Sequence, residues 1–353
     1  MEYNLIHKNN KHKQGRLKAG IVGLGHQSIE DHIPALKQCT DADFVAVTDI
    51  DLLKLEKFKK ENPAIHAYTS HEEMFTKEKL DFIILALPHH LHFEVTKSAV
   101  LKKINILKEK PFTTDLAQAR ELERLATKNK VIISTTLQRR FNPIYTTFHQ
   151  FFDKIGSPFF FESKYTFYTN EPHTGWRGQK KLAGGGCLID MGYHLLDLLL
   201  WYFGVPDGVI AESSCKAKED VIYDAEDTIA LLFDYHKKGF FGSVLISRSM
   251  APKQEYLNVF GTRGSIHLER GKIERLSLDG VVQESLHREQ GWPSAAFDQI
   301  NYFVQVIKGK KLNINGPEEQ FKHLAVIEAI YLSQKKSCYI DPNEILKKKN
   351  EKK

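Results

Sequence analysis

Residues Leu17 to Gly23 read LKAGIVG, a short apolar strand ending on glycine; Leu24-Gly25-His26-Gln27-Ser28 and a helical stretch to about Gln38 follow. A strand, a G-x-G-x-x-small turn and a helix in this order form the first unit of a dinucleotide-binding fold. Gly23 permits the tight turn, and Gly25 lets backbone approach a pyrophosphate. Ser28 stands where a third Gly or Ala is usual, which predicts slightly looser helix–strand packing. Further apolar strands follow at Phe44–Thr48, Asp81–Leu87, Ile104–Lys108 and Val131–Leu137, with helical stretches between them. That alternation predicts a parallel α/β sheet over residues 17–138.

Strand ends are where such sheets bind ligands. Asp49 closes the second strand and lies near the spacing of a ribose-binding acid. A carboxylate there accepts from both ribose hydroxyls and repels a 2′-phosphate, which favours NAD over NADP. A helix N-cap for Leu52–Glu61 is the other reading, and Asp51 can serve it equally. After the third strand, Leu87-Pro88-His89-His90-Leu91-His92 fits no standard zinc spacing, so the loop is assigned to the nicotinamide edge and no metal is expected. Glu109-Lys110-Pro111 follows the next strand. Pro111 stiffens the turn and holds Lys110 extended, although a surface lysine fits that position as well.

From Phe159 the rhythm changes to long alternating runs at Phe159–Tyr168, Gly208–Ser214, Thr228–Tyr235, Gly239–Arg248 and Glu255–Phe260, then Ser265–Glu269 and Lys272–Leu276. These predict a mostly antiparallel, open-faced sheet, an α+β domain over residues 139–341. One face should pack the Leu188–Phe203 helix; the other is available to a second subunit, as a homodimer or homotetramer. Helices over Ala296–Lys308 and Glu318–Lys335 close the chain. Inside the run GGGCLIDMGYH, Asp190 and His194 stand four apart on an otherwise apolar helix and so share a face. The triple glycine Gly184–Gly186 implies that backbone passes close to something, such as a ligand. A dipole-favoured Asp190 and a core His194 are the plainer alternative.

The formal charge of +6 sits in the tails: the arm over residues 1–16 with Lys18 carries +4, as do residues 347–353 of the basic tail expected over 342–353, which leaves −2 for the body. That distribution gives no support to nucleic-acid binding. No window is long and apolar enough for a membrane span, and the polar N-terminus lacks a signal-peptide core. Four scattered cysteines fit a reducing cytoplasm.

GLGHQS, EKPF, GWRG and GGGCLIDMGYHLLDLLLWYFG occur in that order, with FGTRGSIHLE and VIEAIYLSQ further on. Together they resemble the glucose–fructose oxidoreductase, inositol dehydrogenase and rhizopine-catabolism family (Gfo/Idh/MocA) over about residues 17–340. The resemblance implies a nicotinamide-dependent oxidation of a secondary alcohol on a sugar, cyclitol or related polyol. It implies Lys110, Asp190 and His194 as catalytic residues. Cofactor contacts are expected from Gly23, Gly25, His26, Gln27, Asp49, Leu87, Pro88, His92, Glu109, Lys110, Trp176 and Arg177. Substrate contacts are expected from Arg139, Tyr168, Trp176, Arg177, Asp190, Tyr193 and His194, with Tyr165, Phe167 and His173 as further candidates. His89 departs from the family's usual Asn, which leaves the nicotinamide-side hydrogen bonding open. A cofactor cycling within one site and a non-catalytic cofactor sensor are the competing readings.

Overall fold

A computed structural model describes residues 15–171, 174–219, 221–288 and 292–348. The chain forms two compact units. One holds the residues up to 138 together with 291–320; the other holds 139–290 and the residues from 321 onward.

The first unit is built on six parallel strands: β1 (Leu17–Val22), β2 (Ala42–Thr48), β3 (His66–Tyr68), β4 (Phe82–Leu85), β5 (Asn105–Lys108) and β6 (Ile133–Thr135). Their order is β3-β2-β1-β4-β5-β6. β4 and β6 are buried at every residue, as a parallel sheet covered on both faces requires. β3 was absent from the sequence expectation because its three residues, His66-Ala67-Tyr68, carry no apolar run. The order reverses between β1 and β4. A crevice therefore opens at their carboxyl ends, where Gly23 and the Ala86–Pro88 segment lie.

The segment after residue 290 was expected to stay with the second domain, but it returns to the first unit. On the helix Trp292–Ile307, Ala296, Ile300, Phe303, Val304 and Ile307 join the core formed by Leu17, Ile21 and Phe82. Phe303 meets Phe82 edge-on, 5.7 Å between centroids. An amphipathic stripe fixes which face is buried but not which core receives it, so the sequence pattern could not assign this helix.

In the second unit eight strands form one sheet: β7 (Pro158–Tyr168), β8 (Gly208–Ser214), β9 (Thr228–Tyr235), β10 (Phe240–Ser247), β11 (Ser249–Gly261), β12 (Gly264–Glu269), β13 (Lys272–Leu276) and β14 (Val282–His287). The order is β14-β13-β12-β11-β7-β10-β9-β8. All pairings are antiparallel except β7 with β10. The inner face packs the helix Tyr193–Phe203: Phe203 meets Phe161, Tyr235 and Phe240 at 5.3, 5.9 and 5.3 Å between ring centroids. The outer face leaves Phe159, Ile210, Leu232 and Phe241 exposed. Part of the expected basic tail is a short helix, Pro342–Lys347, capped by Asp341, with Pro342 and Ile345 buried. No helix among the described residues is long and apolar enough to cross a membrane.

Candidate active site

Each unit carries half of the expected machinery. In the first, Gly23 has φ +97°, and a Cβ there would stand 2.3 Å from the Ala86 carbonyl oxygen. Both facts restrict the position to glycine. At Gly25 a Cβ would meet nothing within 4 Å, so the turn is open where a pyrophosphate would approach. The two aspartates after β2 divide their work. Asp51 caps the helix Leu52–Glu61 by accepting from the Leu53 and Lys54 amides at 3.1 and 3.2 Å. Asp49 accepts the Leu24 amide at 2.6 Å and the Asp51 amide at 2.9 Å. Its carboxylate is thereby fixed against the glycine turn, and each oxygen retains a second lone pair for a ribose hydroxyl.

The helix beyond the turn begins with a π-helical turn, Ser28–His32. His26 is exposed, while Gln27 turns back to donate to the Asp31 carboxylate. Burial pushes the Asp31 carboxyl up despite the nearby His32. His32, which sequence reasoning missed, is fully buried, and its Nε2 lies 2.8 Å from Glu109 Oε1. Burial alone would raise the Glu109 carboxyl; the His32 hydrogen bond and the Lys110 ammonium bring it below its ordinary value. Lys110 follows in a cis Lys110–Pro111 turn and is half-buried. The Leu87 side chain packs over Gly23, and Pro88 is half-buried beside it. His92 is fully buried, with Nδ1 2.8 Å from the Pro111 carbonyl and Nε2 2.9 Å from the Leu87 carbonyl. Both ring nitrogens therefore face backbone, and the ring presents no edge to a bound cofactor.

In the second unit, Leu188–Gly192 is a second π-helical turn, running into Tyr193–Phe203. From Gly186 to Leu200 every residue is buried except Asp190 and His194. The two polar side chains therefore open together at the surface of an otherwise sealed element, and π turns are frequent at functional sites. Arg177 Nε donates to Asp190 Oδ2 at 3.1 Å, and its guanidinium lies over the Trp176 ring, 4.4 Å from the centroid. Trp176, Arg177 and Asp190 thus form one cluster, with Arg177 largely exposed.

Other expected substrate residues lie elsewhere. Tyr193 is fully buried and stacks on His323, 5.0 Å between centroids. Arg139 is buried, paired with Glu255 and flanked by the Tyr145 and Tyr165 rings. Its Nη1 donates to the His194 carbonyl at 3.3 Å, so this arginine holds the backbone that carries His194. Burial and the Glu255 charge push the Tyr165 hydroxyl up. Tyr168 is exposed and accepts from Lys218 Nζ at 2.6 Å. Phe167 is half-buried, and its ring centroid stands 6.1 Å from that of Tyr165. His173 lies outside the described residues.

The close approach implied by the triple glycine is to protein. A Cβ on Gly185, at φ +156°, would stand 1.8 Å from the Tyr331 hydroxyl, and one on Gly186 would stand 2.0 Å from the Glu226 carbonyl oxygen. Glu226 ties the segment together: its Oε1 accepts from the Leu188 amide at 3.1 Å and from the Tyr331 hydroxyl at 2.9 Å. The glycines seat the π turn, and Asp190 and His194 with it.

Comparison with known proteins gives the family. Residues 17–137 match the model of the Gfo/Idh/MocA oxidoreductase family's NAD-binding Rossmann fold, and residues 153–267 match a C-terminal domain of the same family. The uncharacterized oxidoreductase YdgJ of Escherichia coli is 27% identical over 192 residues, so the match spans about half of each chain, 54%. The scyllo-inositol 2-dehydrogenase (NADP+) IolW of Bacillus subtilis is 24% identical over 92% of this chain and 85% of its own. Among solved structures, the aldose–aldose oxidoreductase of Caulobacter crescentus, complexed with glycerol, shares the fold with a TM-score of 0.80 at 20% identity, over 92% of this chain and 99% of its own. The chain belongs to the Gfo/Idh/MocA oxidoreductases, and residues 17–137 are their NAD-binding Rossmann fold.

Proposed function

We propose that the protein oxidises a secondary alcohol on a sugar, cyclitol or related polyol, using NAD in preference to NADP. The observation that carries this reading is the pair Asp190 and His194, the two unsealed side chains of a buried helix, with Arg177 and Trp176 beside them. A bound nicotinamide would supply the acceptor for the hydride of the carbinol carbon. His194 takes the hydroxyl proton as general base. Lys110 hydrogen-bonds the same oxygen and stabilises its developing negative charge. Asp190 accepts from a neighbouring hydroxyl and, through Arg177, orients the sugar. The exposed Arg177 guanidinium is the group suited to a carboxylate or phosphate on the substrate.

The test is absorbance at the reduced-nicotinamide band with NAD or NADP and a panel of inositols, aldoses, amino sugars, sugar phosphates and nucleotide sugars. Signal with NAD on one substrate class is expected. The same assay examines Asp49. An Asp49→Ser variant should lose selectivity for NAD over NADP by about tenfold or more, because the repelled 2′-phosphate is then tolerated. A wild-type preference for NADP, as IolW's name states for that relative, would remove Asp49 as the selector and leave the oxidoreductase reading in place. If no free cofactor is turned over but bound nicotinamide copurifies, the internal cycle gains support; the aldose–aldose oxidoreductase sharing this fold is what favours that second reading.

The outer face of the second unit's sheet supports a homodimer. Phe159, Ile210, Leu232 and Phe241 are 40% to 53% exposed, and Ile210 and Leu232 are cross-strand partners. An apolar patch of this kind pairs most simply with its own copy about a two-fold axis. In sedimentation at micromolar concentration the wild type should run as a dimer or a dimer of dimers, and Leu232→Glu with Phe241→Glu as smaller species. An unchanged mass in the double variant would move the interface elsewhere.

A further inference from the structure

The turn that carries Lys110 is held from inside by side chains that take no part in the proposed chemistry. Glu109 is tied to His32. The Pro111 carbonyl faces His92 Nδ1 at 2.8 Å. The Phe112 carbonyl accepts from Lys108 Nζ at 2.5 Å, and the same ammonium donates to Thr96 Oγ1 at 3.0 Å. His92 and Lys108 are both fully buried, so neither is there for solvation or for a ligand. His92 is also the one side chain of this group that reaches the other loop of the crevice, with Nε2 2.9 Å from the Leu87 carbonyl.

From this geometry we infer that His92 is a positioning residue: by hydrogen-bonding the Pro111 carbonyl it sets where the Lys110 ammonium stands. The inference rests on the reading of Lys110 given above. A neutral ring carries one N–H, and only the imidazolium donates from both nitrogens. Burial, Lys108 and His89 all disfavour that charge. One of the two carbonyls therefore receives the hydrogen bond at any moment. The Pro111 bond is assigned as the one that matters, because Pro111 adjoins Lys110. A displacement of a fraction of an ångström at a catalytic ammonium is enough to slow a reaction.

Three replacements separate the two bonds. Asparagine places its amide nitrogen near the Nδ1 position, glutamine near Nε2, and leucine supplies no donor. With the panel member turned over fastest, His92→Leu should lower kcat about ten- to hundredfold, in the range of lost outer-sphere support. KM and the Kd for NAD should stay within about threefold, since ground-state binding is not what the turn supplies. His92→Asn should recover most of the loss and His92→Gln little. Recovery by glutamine alone would assign the function to the Leu87 loop and overturn the inference.

A double-variant cycle separates this claim from the claim about Lys110 itself. With Lys110→Ala already present, His92→Leu should cost little more in single-turnover rate, because the group it positions is gone. A full additional loss would sink the positioning role while leaving Lys110 catalytic. Wild-type turnover in Lys110→Ala would instead sink the catalytic reading. Hydrogen exchange on the NAD complex gives a readout free of substrate. His92→Leu should speed exchange in the 109–113 segment, and His92→Asn should restore it. Unchanged exchange there, or a uniform rise through the whole first unit, counts against the proposal.

Discussion

Lys110→Met and His194→Ala should each lower kcat by about a hundredfold or more, with NAD binding kept intact. Hydride leaves the carbinol carbon with its electron pair, so the oxygen must also give up its proton to become a neutral carbonyl, and negative charge develops on that oxygen as its proton departs ahead of the hydride. On the proposed mechanism His194 would accept that proton, and Lys110 would stabilise the charge that develops. Neither contribution exists in the ground state to the same degree, so the loss should appear in kcat more than in KM. Asp190→Asn should behave differently. Its carboxylate is shared with Arg177, so the first effect is on orientation and KM. Stopped-flow measurement of nicotinamide reduction, with cofactor affinity followed separately by fluorescence, distinguishes these cases. Wild-type-like turnover in either of the first two variants would remove that residue from the mechanism.

Local chemistry was legible in the sequence wherever the signal was local. The turn at Gly23 and the strands that flank it followed from apolar runs punctuated by glycine. Asp190 and His194 were visible because polar residues interrupt a buried helix, although the π turn beneath them was not. What could not be read depends on partners far away in the chain. His32 and Lys108 look like ordinary members of an amphipathic helix and a strand end, and only the folded unit brings them to Glu109 and Phe112. Arg139 and Tyr193 carry chemistry suited to a sugar, yet Glu255 and His323 engage them in the interior. The triple glycine correctly announced a close approach but could not announce that Tyr331 and Glu226 cause it.

The second large effect is expected on stability rather than on turnover. Asp197 lies on the buried side of the Tyr193–Phe203 helix and is essentially unexposed. Its Oδ1 accepts from Arg140 Nη2 at 2.7 Å, from Arg140 Nε at 3.1 Å and from His323 Nε2 at 2.9 Å. Burial opposes the charge, but Arg140 and His323 together hold the carboxyl well below its usual range. Asp197→Ala leaves the Arg140 guanidinium buried without its counter-ion, and the expected cost is about 3–5 kcal/mol. Replacing the pair together, Arg140→Met with Asp197→Leu, should cost much less, since neither charge is then desolvated. The pH dependence has a definite sign. A carboxyl depressed by folding contributes stability that is fully present above its unfolded value near about 4 and is lost as pH falls through the folded one. Acid should therefore weaken the wild type in that window, and the apolar double variant should have lost this component of the slope. Trp201 lies over Arg140, 5.7 Å from ring centroid to guanidinium carbon, so its fluorescence reports this unit during urea unfolding. A single variant no less stable than the apolar double variant would show that the ionic cluster is not what holds the helix in place.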